Sequence, residues 1–431
     1  MKFFLILLLL FLNFNIANSE NHLIFFIESA YKNNPKLEAE RKNLKAINEN
    51  INISKSEFLP SVTFSGSVDS TQSTNRTNQS GASLGDTSND TETKSVSVDQ
   101  KIFQGFEGYN SLKKSELEFN KAKHELRDVE QEIILESIIA YYDLAYKMKS
   151  KEFNFANVEL FERQVESDKS RLQRGEITLT DLAQSESSLA GANANLITIQ
   201  NDFLTTKTNF ERTTRISAPK SIEDNFNLNI ILPKNLNDAL KLSEKNSPKL
   251  IVAKLNYQIS EKEVNIERAQ LSPSASVTYS KSSSEDYSST VDEIEKESVK
   301  ATITWPIIKG GENYSSLKKA KFKKQQNNLI LQDVFNEVKT DTTNAWSLYQ
   351  SKEGVLKSTQ AQVSAAEIAN EGITLEYDSG NTRTTLEVIQ SRSLLLNARI
   401  SNAKAERDFV VSKFEFLAVL GELTLENIRK L

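Results

Sequence analysis

The sequence predicts a mixed α and β fold, with long coiled-coil helices and four amphipathic strands laid out twice in tandem. Three observations carry that expectation. The first is internal repetition. Asn33-Asn34-Pro35-Lys36-Leu37 returns as Asn246-Ser247-Pro248-Lys249-Leu250, and Pro60 returns as Pro273, both at an offset of 213 residues. Leu112-Lys113-Lys114 returns as Leu317-Lys318-Lys319, and Ala140-Tyr141 as Ala345-Trp346, at an offset of 205. Asp181-Leu182-Ala183-Gln184-Ser185 becomes Glu387-Val388-Ile389-Gln390-Ser391, and Asp202-Phe203 becomes Asp408-Phe409, at 206. A unit of this size is far longer than solenoid repeats of roughly 20–50 residues, so each copy reads as half of one architecture. The second observation is the scarcity of breakers: 13 Gly and 7 Pro in 431 residues leave room for very long helices. The third is a change of period in each copy, from helical to alternating.

Taken in order, residues 1–19 read as a secretory signal. Lys2 gives the charged start, Phe3 to Leu12 the apolar run, and Ala17-Asn18-Ser19 the small-residue cleavage site. The first repeat, 20–215, opens with a short helix at 22–33. A helix follows from Pro35, a residue suited to a first turn, and stops before Pro60. Strands are predicted at about 60–70 and 94–104. In the first, Val62, Phe64, Gly66 and Val68 alternate with Thr63, Ser65, Ser67 and Asp69. Between the strands, 71–92 is rich in Ser, Thr, Asn and Gly and reads as a solvated loop. Long helices at about 108–172 and 180–213 complete the repeat. The second of these carries a heptad stripe of Leu182, Leu189, Ala192, Leu196, Ile199, Phe203 and Phe210.

Residues 216–235, with Pro219 and Pro233, join the copies. The second repeat, 236–431, has strands at about 273–282 and 297–307, a Ser/Glu/Asp-rich loop at 282–297, and helices at about 312–377 and 383–420. Gly175 and Gly380 suit the turns between paired helices.

Composition narrows the function. A net charge of −5 without a basic stripe makes a poor nucleic-acid binder. The absence of cysteine excludes disulfides and the acylated N-terminal Cys of a lipoprotein, so the chain is expected not to be lipidated. With only His22 and His124, scattered acids and no phosphate-cradling glycine motif, no catalytic, metal or cofactor site is expected and the chain reads as a non-enzyme. Ten-residue strands with one apolar and one polar face fit a wall between lipid and water, or two hairpins packed on a soluble core. Long polar helices flanking each hairpin favour the wall. Four strands cannot close a barrel, since outer-membrane barrels start at about eight, so a barrel would be shared between chains. Two chains would give eight strands and three would give twelve, and the larger leaves an aqueous lumen.

At this point the chain resembles the TolC-type outer-membrane efflux family. The likeness covers the whole chain after the signal. It rests on the duplication, on Asn-Pro-Lys-Leu and its copy, on Leu59-Pro60 and Ser272-Pro273 at helix-to-strand junctions, and on Phe103-Gln104-Gly105 and Ile308-Lys309-Gly310 where strand returns to helix. Its most specific stretch runs from Tyr377 to Val388. The resemblance implies a homotrimer with a shared 12-stranded β-barrel in the bacterial outer membrane. It implies helices forming a periplasmic tunnel, opened by a periplasmic adaptor (membrane fusion) protein and an inner-membrane pump of RND or ABC type. The chain would then be the exit duct of a tripartite efflux or type I secretion system. The alternative is a secreted or surface coiled-coil scaffold without a pore.

The resemblance also implies a gate at the helical tips, at Tyr377, Arg383 and Glu387, with Thr180 and Asp181 of the first copy as the expected partners of Tyr377 and Arg383. Gln390 stands where some members have a second acid. Read from spacing alone, Arg383 and Glu387 are an ordinary i,i+4 pair. The exposed turns Gly175-Glu176-Ile177 and Gly380-Asn381-Thr382 are the expected adaptor-docking tips. Phe103, Phe106, Tyr109, Tyr279 and Trp305 lie near strand ends, where an interfacial girdle or junction packing would use them.

Overall fold

A computed structural model describes residues 22–222, 230–288, 291–379 and 383–430. The expected signal at 1–19, part of the joining segment, and Gly380, Asn381 and Thr382 lie outside the described residues. The elements are α1 (His22–Asn33), α2 (Pro35–Ser56), β1 (Ser61–Ser73), β2 (Arg76–Thr77), β3 (Ser83–Leu84), β4 (Thr87–Gln104), α3 (Glu107–Gln173) and α4 (Leu179–Thr214). The second copy supplies α5 (Leu236–Asn246), α6 (Pro248–Ala269), β5 (Ser274–Ser288), β6 (Val291–Thr304), α7 (Glu312–Asp378), α8 (Thr385–Val419) and α9 (Leu425–Ile428). Helices α3 and α7 have 67 residues each, about 100 Å at 1.5 Å per residue. The chain divides into two compact units.

One unit, Lys42–His124 with Ile251–Val334, carries a four-stranded sheet in the order β1-β4-β5-β6, with each neighbouring pair antiparallel. Its register sorts the two faces. Val62 pairs with Val98, Val98 with Tyr279 and Tyr279 with Val299, an apolar row across all four strands. The next row, Thr63, Ser97, Ser280 and Ser298, is wholly polar and faces the other way. Among the described residues no layer is packed on the apolar face. Val62, Phe64, Val68, Val299, Ile303 and Trp305 are 62–78% exposed. A hairpin resting on a soluble core would bury these positions, so the core-packed reading of the strands fails.

The strands are longer than the sequence suggests. Residues 282–297, read as a loop, are largely strand, and β1 and β4 extend into 71–92 around a small β2–β3 hairpin. The sequence signal fails there because the extension is polar on both faces. Ser282 pairs with Lys296, Ser283 with Glu295 and Glu285 with Glu293, so apolar alternation is absent while the backbone ladder continues.

The other unit comprises the chain up to Arg41, Glu125–Leu250 and Phe335–Leu431. Its main core joins α1 (Leu23, Phe26, Ile27), α3 (Ile134, Ile138, Tyr141, Leu144), Phe210 of α4 and Val410, Val411 and Phe414 of α8. Phe416, the copy of Phe210, anchors a second cluster with Ala239, Leu420 and Trp346. The heptad stripe of α4 faces inward: Leu182, Ala192 and Phe210 are buried, and Val158 and Phe161 of α3 close over Ala192.

Helix starts repeat too. Thr178 and Asp181 form a reciprocal cap on α4, and Thr384 and Glu387 form the same cap on α8. Gly175, at φ +74°, ends α3. Its N–H donates to Leu172 O (2.9 Å) and that of Glu176 to Arg171 O (3.0 Å), which is the double closure of a left-handed helix end.

Candidate functional site

The tips of the helical unit bring together the ends of α3 and α7 with the starts of α4 and α8. At the centre is Asp168, fully buried. Its Oδ1 accepts from Gln164 Nε2 (2.9 Å) and the Tyr377 hydroxyl (3.1 Å), and its Oδ2 accepts from Ser185 Oγ (2.5 Å). A buried carboxylate is tolerable only with such a full set of donors. Gln164, Asp168 and Arg171 recur at spacings of four and three, which places them on one face of α3.

Tyr377 is 5% exposed. Its single hydrogen goes to Asp168, so the Thr385 hydroxyl, 3.1 Å away, donates to the phenol oxygen. The Arg171 guanidinium lies 4.5 Å over its ring. Burial is the main cause that raises the Tyr377 pKa above the ordinary tyrosine range, and the nearby Asp168 carboxylate adds to it. Arg392 of α8 donates to Gln164 Oε1 (3.1 Å), and burial holds its guanidinium below the usual arginine range.

Arg383, exposed, and Glu387, half-exposed, lie nearby but serve local ends. Arg383 Nε donates to Glu376 (2.6 Å) and Nη1 to Glu387 (3.0 Å). The backbone N–H of Thr384 and then Arg383 hold the Glu387 carboxyl below its usual range. The Thr178 backbone N–H does the same for Asp181.

The sequence-predicted residues therefore separate into groups. Tyr377 sits inside the cluster. Arg383, half-exposed Glu387 and exposed Gln390 stand at the α8 start, outside the cluster. The expectation that Thr180 and Asp181 hold Tyr377 and Arg383 does not hold within one chain. Thr180 is exposed, Asp181 is committed to its cap, and the donors and acceptors around Tyr377 come from Asp168, Gln164 and Thr385. Gly175, Glu176 and Ile177 form the α3–α4 turn, where Arg174 grips Glu176 (2.6 Å) and a side chain added at Gly175 would meet open space.

Sequence reasoning missed Asp168, Gln164, Ser185, Thr385 and Arg392. One signal was available: at the duplication offset Asp168 aligns with Ile373, so a carboxylate occupies what the other copy uses as an apolar seam position. Among the described residues, no group of three or more His, Cys, Asp or Glu side chains is arranged to hold a metal ion. No described helix is long and apolar enough to cross a membrane.

The model of the family described as outer membrane efflux protein matches residues 26–213 and 239–422, one segment per copy. The chain belongs to the outer membrane efflux protein family. The outer membrane efflux protein BepC of Brucella suis is 24% identical over 408 residues, covering 93% of this chain and 85% of its own. The outer membrane protein TolC of Escherichia coli is 21% identical over 432 residues, covering 96% and 85%. The solved structure of the Campylobacter jejuni CmeC outer membrane channel superposes with a TM-score of 0.81 at 15% identity, over 93% of this chain and 86% of that one. As a member of this family the chain is an outer-membrane channel of tripartite efflux or secretion systems, with its helices in the periplasm. The two-segment match is the tandem duplication seen in the sequence.

Proposed function

We propose that three copies of this chain form a homotrimer whose twelve strands close one outer-membrane barrel. The helices form the exit duct served by a periplasmic adaptor and an inner-membrane pump of RND or ABC type. The observation that carries this reading is the pair of unsatisfied sheet edges. Among the described residues β1 and β6 each have one neighbour, and an open edge in lipid leaves a row of backbone groups unpaired.

The chain contains a template for the missing pairing. Ser61 pairs with Asp99 in the first hairpin and Ser274 with Thr304 in the second. At offsets of 213 and 205 these are the same pair, so the two hairpins share one register. Their junction, β4 on β5, then recurs as β6 on β1 of the next copy. Val98 on Tyr279 becomes Ile303 on Gly66, Ser97 on Ser280 becomes Thr302 on Ser67, and Val96 on Lys281 becomes Ala301 on Val68. The glycines agree. Gly105 (φ +58°) is pressed against Ser272 and Ala269, whereas its copy Gly310 (φ +57°) has nothing within 4 Å. The matching partners, Ser56 and Leu59, stand exposed at the other edge.

The tip closes the duct at rest in this reading. Tyr377 on Asp168 joins α7 to α3, and Arg383 with Glu387 stiffens the adjoining turn. Splaying the helices breaks the buried bonds, which makes two discrete states. The turn at Gly175, Glu176 and Ile177 and its copy at Gly380, Asn381 and Thr382 receive the adaptor. Support for the first turn is its open surface.

Ser67→Cys with Thr302→Cys tests the ring, because the parent has no cysteine. Oxidised membranes should yield covalent dimers and trimers on a denaturing gel. Val68→Cys with Thr302→Cys should not link, since a one-residue slip turns a side chain to the other face. Unlinked Ser67/Thr302 chains, beside a Ser97→Cys/Ser280→Cys control that closes within the chain, would refute the register. Recovery away from the membrane fraction, with no conductance in a planar bilayer, would favour the poreless scaffold instead.

A further inference from the structure

The tip holds a half-buried cation that the latch does not use. Arg392 reaches Gln164 Oε1 at 3.1 Å, while Gln164 Nε2 reaches Asp168 Oδ1 at 2.9 Å. Gln164 is 6% exposed and Asp168 fully buried, so water cannot substitute freely for either bond. A primary amide has two nearly equal orientations that exchange its oxygen and nitrogen. Guanidinium only donates and carboxylate only accepts. One orientation satisfies both ends, and the other sets carbonyl oxygen against carboxylate oxygen.

We infer that Arg392 is a positioning residue of the tip gate: it fixes the Gln164 amide so that its N–H locks onto Asp168, and the carboxylate in turn holds Tyr377. The hydrogen bonds then run in one direction, from Arg392 through Gln164 to Asp168, where the Ser185 and Tyr377 hydroxyls converge from the other sides. Without Arg392 the buried Gln164 carbonyl loses its donor and only Asp168 is left to hold the amide. The amide is then less firmly placed, and the α3–α7 bond would weaken although neither partner had changed.

The relay exists once per chain. At the duplication offsets the counterparts of Arg392, Gln164 and Asp168 are Glu186, Ala369 and Ile373. Glu186 instead lies 3.4 Å from Lys169 as an exposed pair. A general need for packing at this level of the helices would be served in both copies. A device that ties copy one to copy two needs only one instance.

The inference rests on the gate reading, and one set of channels in planar bilayers separates the two. Asp168→Asn is the benchmark for the gate. Arg392→Met should shift the closed-to-open balance about tenfold toward open, the size of one lost hydrogen bond to a charged group. Arg392→Lys should restore most of the closure. Combining Arg392→Met with Asp168→Asn should add little to Asp168→Asn alone, because both act on one network. Gln164→Glu is the variant a merely structural role would not explain. Its carboxylate still accepts from Arg392 but faces Asp168 with no hydrogen. The channel should therefore leak at neutral pH and close on acidification, as one carboxyl takes up the proton that bridges the pair. Trimers that survive extraction show that each variant has assembled. If Arg392→Met fails to assemble, the pH response of Gln164→Glu still decides. Open Asp168→Asn with a closed Arg392→Met, or a pH-insensitive Gln164→Glu, would overturn the relay. A closed Asp168→Asn would overturn the gate reading itself.

Discussion

The two copies of the repeat solve the same structural problems and differ where the helices end. Their ion pairs correspond: Lys147 meets Asp202 at 2.6 Å in the first, and Lys352 meets Asp408 at 2.9 Å in the second. Their helix caps correspond, Thr178 with Asp181 and Thr384 with Glu387. At the far ends of α4 and α8 the solutions diverge. The first copy turns left-handed on Arg215 (φ +62°) and the second on Gly421 (φ +74°). Shared features build the tube in both halves. Unshared ones mark where a half meets something its twin does not.

Gly421 is the sharpest such place. A Cβ there would lie 2.3 Å from the carbonyl oxygen of Asn246 and 3.1 Å from the amide of Ser247, both backbone atoms that cannot step aside. Its own carbonyl accepts from Arg127 at 2.7 Å. Gly421→Ala combines overpacking with a left-handed alanine, and should cost about 2–4 kcal/mol. The measurement is thermal unfolding of the extracted trimer. Unchanged stability would show that the α5–α6 turn yields, and that the two copies are more alike than their backbones suggest.

Much of this was legible in the sequence, and the exceptions have physical causes. Duplication, scarce Gly and Pro, and heptad spacing located the long helices, because those signals are local. The alternating apolar positions located the strands for the same reason. Polar strand extension at 282–297 left no such trace, since hydrogen bonding between Ser and Glu strands needs no apolar face. At the tip, the family resemblance singled out Tyr377 and Arg383, but within one chain their bonds go to Asp168 and to Glu376 and Glu387, not to Thr180 and Asp181. Asp168 lies 209 residues before Tyr377, and no local pattern links them. Glu387 carried a different ambiguity. Its twin Asp181 makes the same cap, so capping accounts for an acid at both positions before any pore is considered.

That last point splits the two latch residues. Tyr377 is buried and joins α7 to α3, whereas Arg383 is exposed and bonds Glu376 and Glu387 across the α7–α8 turn beside it. Tyr377→Phe removes the donor from a buried carboxylate, a loss of about 1–3 kcal/mol from the closed state. Its counterpart in the first copy is Leu172, so nothing in the other half compensates. Arg383→Ala should have the smaller effect and a stronger dependence on salt, as exposed ion pairs do. Single-channel recordings of each variant at two ionic strengths would rank them. A larger, salt-insensitive opening in Arg383→Ala would mean that Arg383 reaches across to another copy in the closed tip.

The smallest effect belongs to Arg215, and its sign is the informative part. A side chain with a Cβ pays about 1–2 kcal/mol to sit in the left-handed region. Glycine removes that strain but returns part of it, about 0.5–1 kcal/mol, as backbone freedom in the unfolded chain. Among the described residues the Arg215 side chain makes no hydrogen bond or ion pair, and its backbone N–H closes the helix on Glu211 O at 3.0 Å whichever residue stands there. Neighbouring groups already fix the turn: Ser29 Oγ donates to Thr214 O at 2.8 Å, and the N–H of Ala218 donates to Glu211 Oε1 at 3.1 Å. Arg215→Gly should therefore stabilise the helical unit by a few tenths to about 1 kcal/mol, read as a rise in the unfolding midpoint. A fall in the midpoint would mean that the arginine is retained for a contact outside the single chain, at the level where the two copies are joined.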